Sequence, residues 1–359
     1  RLGGDEFGVL LQHCSVEDAT AVARELLRAV QDFQFVWANN TFTVGASIGL
    51  VPIDNNFQRI TDVLGAADAA CYAAKDHGRD RIEVFDDKNL SMVRRHDDMQ
   101  LVARIQQALD EDLFELLAQP IVSLHDDSAP PYFEVLLRMK DGDDQEIPSS
   151  ALFSAAERYK FMPQIDRWVT STTLAQMSEH KDAIAATGAQ FSINLSGQSL
   201  SDDEILEFID DEMRENGVPG SELCFEVTES AAVSNLTKAQ TLINKLRERG
   251  CQISLDDFGA GLSSFAYLKN FNVDSLKIDG SFIRDITDNR ISESMVAAIT
   301  QVAKVMELQT VAEYVETEET RKLIAELGVD FAQGHTVGKP RPLAETLAAL
   351  ADAQKSSTG

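Results

Sequence analysis

Residues 251–279, CQISLDDFGAGLSSFAYLKNFNVDSLKID, hold two short β-like runs, CQISLDD and VDSLKID, each closing on carboxylates. The pattern continues outward on both sides. LLAQPIVSL (116–124), YFEVLLRM (132–139), FSINLS (191–196) and LCFEVTES (223–230) precede it, and TVAEYVE (310–316) and FAQGHTVG (331–338) follow, with helical stretches between most of them. Such alternation predicts βα units around a largely parallel sheet. It supports an α/β barrel but does not by itself close the ring.

Six carboxylate or amide positions stand at the ends of these runs: Glu134, Asn194, Glu226, Asp256, Asp257 and Glu313. Side chains so far apart in sequence become neighbours only if their strands are parallel and end at one rim, the rim that carries the chemistry of a (β/α)8 barrel. An oxygen-only ligand set suits magnesium or manganese rather than zinc. The expected chemistry is metal-assisted hydrolysis of a phosphate ester. A single Asp or Glu at a strand end is ordinarily a solvated turn or cap residue; six in this order, with Lys277 between the fourth and last, carry the functional reading. Alternation along YFEVLLRM puts Arg138 on the face of Glu134, where a guanidinium fork suits a phosphate.

The 359-residue chain is long enough for two domains, and its formal charge of −27 is far from balanced. Such an acidic surface repels DNA and RNA, so no nucleic-acid polymer is expected as a partner; a small phosphodiester would need local cations. Cys14, Cys71, Cys224 and Cys251 have neither metal-site spacing nor scaffold density, and read as core thiols of a reducing compartment. No apolar run reaches the ~18 residues of a membrane-spanning helix, so a cytoplasmic location is expected. The chain begins at Arg1 without an initiator Met, as a fragment of a longer protein would, and membrane contact is expected only through a missing N-terminal region.

Near the N-terminus, residues 8–12 and 43–53 read as strands, Val16 to Gln31 as a helix capped by Ser15, about Thr61 to Asp76 as a second helix, and RIEVF (81–85) as another strand. This fits half of an α+β domain. The charged stretch from Asp86 to Asp98 then leads into a helix with Met99, Val102, Ile105 and Leu109 on one face.

Two resemblances join these readings. The run from EVLLR through SLDDFGAGLSSFAYLKNFNVDSLKIDGSFI to FAQGHTVGKP resembles the EAL domain, the phosphodiesterase that opens cyclic di-GMP. RLGGDEFGVLL, with ASIGL and ADAACYAAKDHGRDRIEVF behind it, resembles the second half of a GGDEF domain, the diguanylate cyclase. The expected layout is a partial GGDEF domain over 1–86, a helical linker over 87–112 and an EAL domain over 113–352. The resemblance supplies ring closure, a TIM-like (β/α)8 barrel with one antiparallel strand.

It also implies roles. Glu134, Asn194, Glu226 and Asp256 would hold one Mg2+ or Mn2+ ion, and Asp256, Asp257 and Glu313 would shape the site of a second. Lys277 would orient the attacking water, Glu229 would tie down the loop after DDFGAG, and Gln119, Arg138 and Gln333 would contact ligand or water, with Asp279 assisting. The substrate would be cyclic di-GMP, the product linear 5'-pGpG, and the domain a homodimer through the region of Phe265, Leu268 and Phe271. The alternative is a catalytically weak cyclic di-GMP receptor. Gly259 and Gly261 are read as turn glycines that also lend the loop mobility.

Three positions depart from the EAL pattern: Val135 replaces alanine, Tyr314 replaces the glycine of AEGVE, and His335 replaces a common tyrosine. A ring at Tyr314 is expected to shift its strand end. In the GGDEF half Gly3, Gly4, Asp5, Glu6 and Phe7 are intact, and Lys75 and Arg79 match nucleotide contacts. What lies upstream in that family, a metal-binding aspartate, much of the guanine pocket and the inhibitory RxxD site, is absent, so no cyclase activity is expected from this chain.

Overall fold

The computed structural model describes residues 7–12, 14–37, 40–43, 45–53, 60–76, 80–85, 101–111, 113–139, 147–259 and 265–357. The chain divides into two compact units, Arg1–Gln100 and Leu101–Gly359.

In the first unit, α1 (Val16–Asp32) starts at Ser15, whose hydroxyl accepts the Asp18 N–H at 3.1 Å. A hairpin of β1 (Gln34–Trp37) and β2 (Asn40–Thr43) follows. Then β3 (Ile48–Leu50) pairs in parallel with β4 (Ile82–Val84) across α2 (Ile60–Asp76). Residues 8–12 form no strand: Val9 and Leu10 are exposed, and no ladder partner lies beside them among the described residues. The strand expected over 43–53 shrinks to β3, the part that β4 can pair. Gly3, Gly4, Asp5, Glu6 and Arg79 lie outside the described residues; Phe7 and Lys75 are exposed.

The second unit opens with a helix over 101–110, α3, whose Ile105 and Ala108 are buried in its hydrophobic core. Eight strands then close a ring: β5 (Phe114–Ser123), β6 (Tyr132–Met139), β7 (Gln190–Asn194), β8 (Leu223–Thr228), β9 (Gln252–Phe258), β10 (Ser275–Ile278), β11 (Gln309–Ala312) and β12 (Phe331–Gln333). All neighbours from β6 to β12 are parallel, and β5 runs antiparallel to both β6 and β12. The expected odd strand is therefore the first. A two-residue β13 (Arg341–Pro342) pairs with β5 at Leu117 and Ala118, beyond the stretch that β12 uses.

Helices α4 (Ser149–Arg158), α6 (Lys181–Thr187), α7 (Ile205–Asn216), α9 (Leu236–Glu248) and α12 (Glu318–Glu326) lie between the strands together with others that bury broad apolar faces. Among them α5 (Met162–Ser178) buries Ile165, Val169, Leu174 and Met177, and α11 (Arg290–Val305) buries Val296, Ile299 and Ala303. Two shorter helices sit at the rim, α8 (Glu229–Ser234) after β8 and α10 (Gly280–Ile283) after β10. A 3-10 turn over Phe265–Asn270 buries Leu268 and Phe271 in the same core. All four cysteines are free; Cys224 and Cys251 are buried as expected, whereas Cys14 is exposed, because it precedes the first helix. No helix among the described residues is long and apolar enough to cross a membrane.

Candidate active site

Strand alternation turns Tyr132 and Glu134 of β6 into the ring, and the parallel register carries the same face to Ser192, Glu226 and Ser254 on the next strands. Glu134 is the third of eight residues in its strand, so it enters from mid-strand and not from a strand end as the sequence pattern implied. Asn194, the last residue of β7, reaches it from the rim: its Nδ2 donates to Glu134 Oε1 at 2.8 Å. Gln333 Nε2 donates to the other oxygen at 2.6 Å, and also to Gln119 Oε1 at 3.3 Å.

Lys277 is the centre of the arrangement. Its side chain is 1% exposed, and Nζ stands 3.0 Å from Glu134, 2.7 Å from Glu226, 2.9 Å from Glu313 and 3.5 Å from Asp256. Burial alone would lower its pKa, but the surrounding carboxylates hold it well above the usual lysine value. One ammonium cannot balance so many acids. Burial together with the charges of Glu134 and Asp256 pushes Glu226 up to about 8 despite its contact with Lys277. Burial, Asp256 and Glu134 likewise raise Glu313 to about 7. Glu134 goes the other way: burial opposes ionisation, but Lys277, Gln333 and Asn194 together keep its carboxyl below the ordinary range.

Asp256 and Asp257 are consecutive, and consecutive strand residues ordinarily face opposite ways. The register between β9 and β10 slips here: Leu255 faces Leu276 but Phe258 faces Ile278, so β9 has one residue extra opposite Lys277. Asp257 takes up this bulge with a left-handed φ of 54°, a conformation that Asp tolerates better than most residues. As a result Asp256, Asp257 and Glu313 each offer an oxygen within 4.8 Å of the others. Burial and the nearby Asp256 and Asp279 raise Asp257 to about 6.

The residues present fit a divalent cation. Glu226 Oε1, Asp256 Oδ1 and Gln333 Oε1 are buried without a hydrogen-bond partner. Leaving such atoms unsatisfied costs free energy that a cation bound to oxygen would recover.

Around this centre, Glu229 is the first residue of α8, not a loop residue; it is buried, and its Oε2 accepts the Gly259 N–H at 2.9 Å. It thus holds the segment directly after Asp257. Gly261 and the rest of 260–264 lie outside the described residues. Arg138 is four residues further along β6 than Glu134, partly buried, opposite Glu115 in the register. Asp279 caps α10 by accepting the Ser281 N–H at 2.9 Å. Val135 is buried in the core behind Glu134, and His335 is exposed.

Sequence reasoning passed over Asp166 on α5. This buried carboxylate accepts the Ser196 N–H at 2.9 Å and the Ser199 hydroxyl at 2.6 Å, fixing the loop that follows Asn194. The signal in the sequence was an acid on a helix face that also carries Met162, Val169 and Met177.

A closed eight-stranded barrel whose first strand is antiparallel, with a buried lysine among carboxylates, sets the structural class. Consistent with this, residues 102–340 match the EAL domain model and residues 1–81 the model of the diguanylate cyclase GGDEF domain. The chain belongs to the EAL domain family, with a partial GGDEF domain ahead of the barrel. It is 33% identical over 344 residues to the cyclic di-GMP phosphodiesterase PdeB of Shewanella oneidensis, covering 96% of this chain and 40% of that protein. It is 41% identical over 251 residues to the cyclic di-GMP phosphodiesterase PdeF of Escherichia coli, covering 70% of this chain and 33% of that protein. The chain thus spans less than half the length of these relatives. The solved PaMucR phosphodiesterase in complex with c-di-GMP superposes with a TM-score of 0.64 at 31% identity, covering 69% of this chain and 99% of that one.

Proposed function

We propose that the barrel is a metal-dependent phosphodiesterase that converts cyclic di-GMP to linear 5'-pGpG in bacterial signalling, with domain extents of 1–86 and 113–352. The observation that carries this reading is the Lys277 cluster, four carboxylates around one ammonium with Asp257 beside two of them, and buried oxygens left unpartnered. Glu134, Asn194, Glu226 and Asp256 would hold one ion, and Asp256, Asp257 and Glu313 a second. Mg2+ or Mn2+ bound there supplies Lewis acidity toward a phosphoryl oxygen in an in-line displacement.

The chain's own residues do the rest. Lys277 orients the attacking water and offsets the charge that develops on phosphorus-bound oxygens. Arg138 offers a paired donor to a phosphate nearer the rim. Gln119 and Gln333 contact ligand or water while Gln333 holds Glu134 in place. Glu229 keeps the segment after Asp257 in position through Gly259. Homodimerisation and a cytoplasmic setting belong to the same proposal.

The test is incubation of the purified chain with cyclic di-GMP and Mg2+ or Mn2+, with products separated by chromatography. Linear pGpG is expected, EDTA abolishes it, and Glu134→Ala removes turnover; undiminished hydrolysis by that variant overturns the metal role of Glu134. Tight binding without product in either metal establishes the receptor alternative. Calcium, with its larger and looser coordination shell, is expected to inhibit, and equal turnover in calcium contradicts so strict a site.

A further inference from the structure

Tyr314 follows Glu313 directly, at a position where the family pattern has glycine, and its backbone is left-handed with φ 53°. A bulky aromatic residue in that conformation needs surroundings that hold it there. Two features do so. A Cβ added to Gly280 would lie 2.8 Å from Cε2 and 2.9 Å from Cγ of the Tyr314 ring, and closer still to Cδ2, so the ring rests on bare backbone. The Arg284 guanidinium lies over the ring, 4.0 Å from its centroid.

Gly280 is the first residue of α10, three positions after Lys277, and its own φ is not left-handed. The Tyr314 ring occupies the place a side chain there would take. On its other side α10 abuts the segment after Asp257, since a Cβ on Gly259 would lie 3.0 Å from Phe282 Cε2. This short helix is therefore set between the ends of β9 and β11, the two strands that bring Asp256, Asp257 and Glu313 together.

We propose that Gly280 and Tyr314 form a matched pair. Gly280 leaves the space that the ring takes, so that Tyr314, with Arg284 over it, stands beside Glu313 without drawing that carboxylate away from Asp256 and Asp257 and the second divalent cation they would hold. The shift of the strand end expected of Tyr314 is what Gly280 prevents. The inference rests on the two-ion reading of the cluster.

Mn2+ titration of the purified chain, followed by electron paramagnetic resonance without substrate, tests both. The wild type binds two ions. Gly280→Ala weakens one of them by about tenfold or more, the scale seen when partners of metal ligands are disturbed, and leaves the other unchanged. Tyr314→Gly keeps both ions, and Gly280→Ala combined with Tyr314→Gly recovers two-ion binding, a non-additivity expected only of residues in contact. Wild-type binding by Gly280→Ala, or a double variant no better than Gly280→Ala alone, overturns the pairing. If Gly280→Ala does not fold, the double variant decides: recovered folding and two-ion binding sustain the pair, and continued failure overturns it. A wild type that binds no Mn2+ overturns the two-ion reading and the pair with it.

Discussion

At the residue scale, Glu226 carries the tension of the site. It is fully buried, its Oε2 meets Lys277 at 2.7 Å, and its Oε1 has no partner. Without metal its charge is a burden; under the proposed function a metal would turn it into a ligand. Burial and the neighbouring acids push Glu226 up to about 8, so its ionised form is disfavoured in the fold, and Glu226→Gln is expected to stabilise the metal-free chain at pH 8 by roughly 1–3 kcal/mol. The same variant is expected to weaken Mn2+ binding by about 100-fold. Urea unfolding in EDTA and a Mn2+ titration check the two halves, and a less stable Gln variant in EDTA contradicts the account. The positions that gather around Lys277 were readable because each stands within or directly after a short apolar run. The Gln333 bond to Glu134 was not, because it exists only once β12 has met β5 and β6. Nor was the left-handed Asp257, whose bulge depends on what β10 places opposite.

Among the elements, α8 and the end of β9 act together. Thr228 caps α8 by accepting the Ala231 N–H at 3.3 Å, which fixes Glu229 at the helix start, under Gly259. Glu229→Ala leaves that part-buried N–H without its acceptor, and the expected loss is about 1 kcal/mol of stability together with slower turnover. Glu229→Gln keeps an acceptor oxygen and is expected to lose less of both. Chemical denaturation alongside the pGpG assay separates the variants, and equal behaviour of Ala and Gln argues against a role through the Gly259 contact. All eight ring strands were legible as runs, but VDSLKID, TVAEYVE and FAQGHTVG overstate the last three, which are strands of four, four and three residues. The failure at residues 8–12 has a plain cause: apolar alternation marks a strand only where a neighbour exists to complete the ladder.

For the whole molecule, acidity decides the response to pH. In the folded chain Asp166 and Asp257 are pushed to about 6, Glu313 to about 7 and Glu226 to about 8, from ordinary values of 3.8 for Asp and 4.5 for Glu. Each keeps a proton at a pH where the unfolded chain has released it. The stabilisation they give is complete below the ordinary values and is lost as pH rises through the folded ones. Calorimetry in EDTA is expected to show a melting temperature that falls from pH 5 to pH 8. Saturating Mn2+ is expected to flatten the part of that fall due to Glu226, Asp257 and Glu313 and to leave the part due to Asp166. A melting temperature that rises with pH in EDTA contradicts the assignment.

The antiparallel β5 has a consequence for how the protein comes into being. It is the first barrel strand made, yet one of its edges waits for β12, and Gln333 grips Glu134 from 199 positions away. A chain emerging from the ribosome therefore carries most of its acidic donors long before the seam can be sewn. The buried cluster is completed in one late event, when the last ring strand docks.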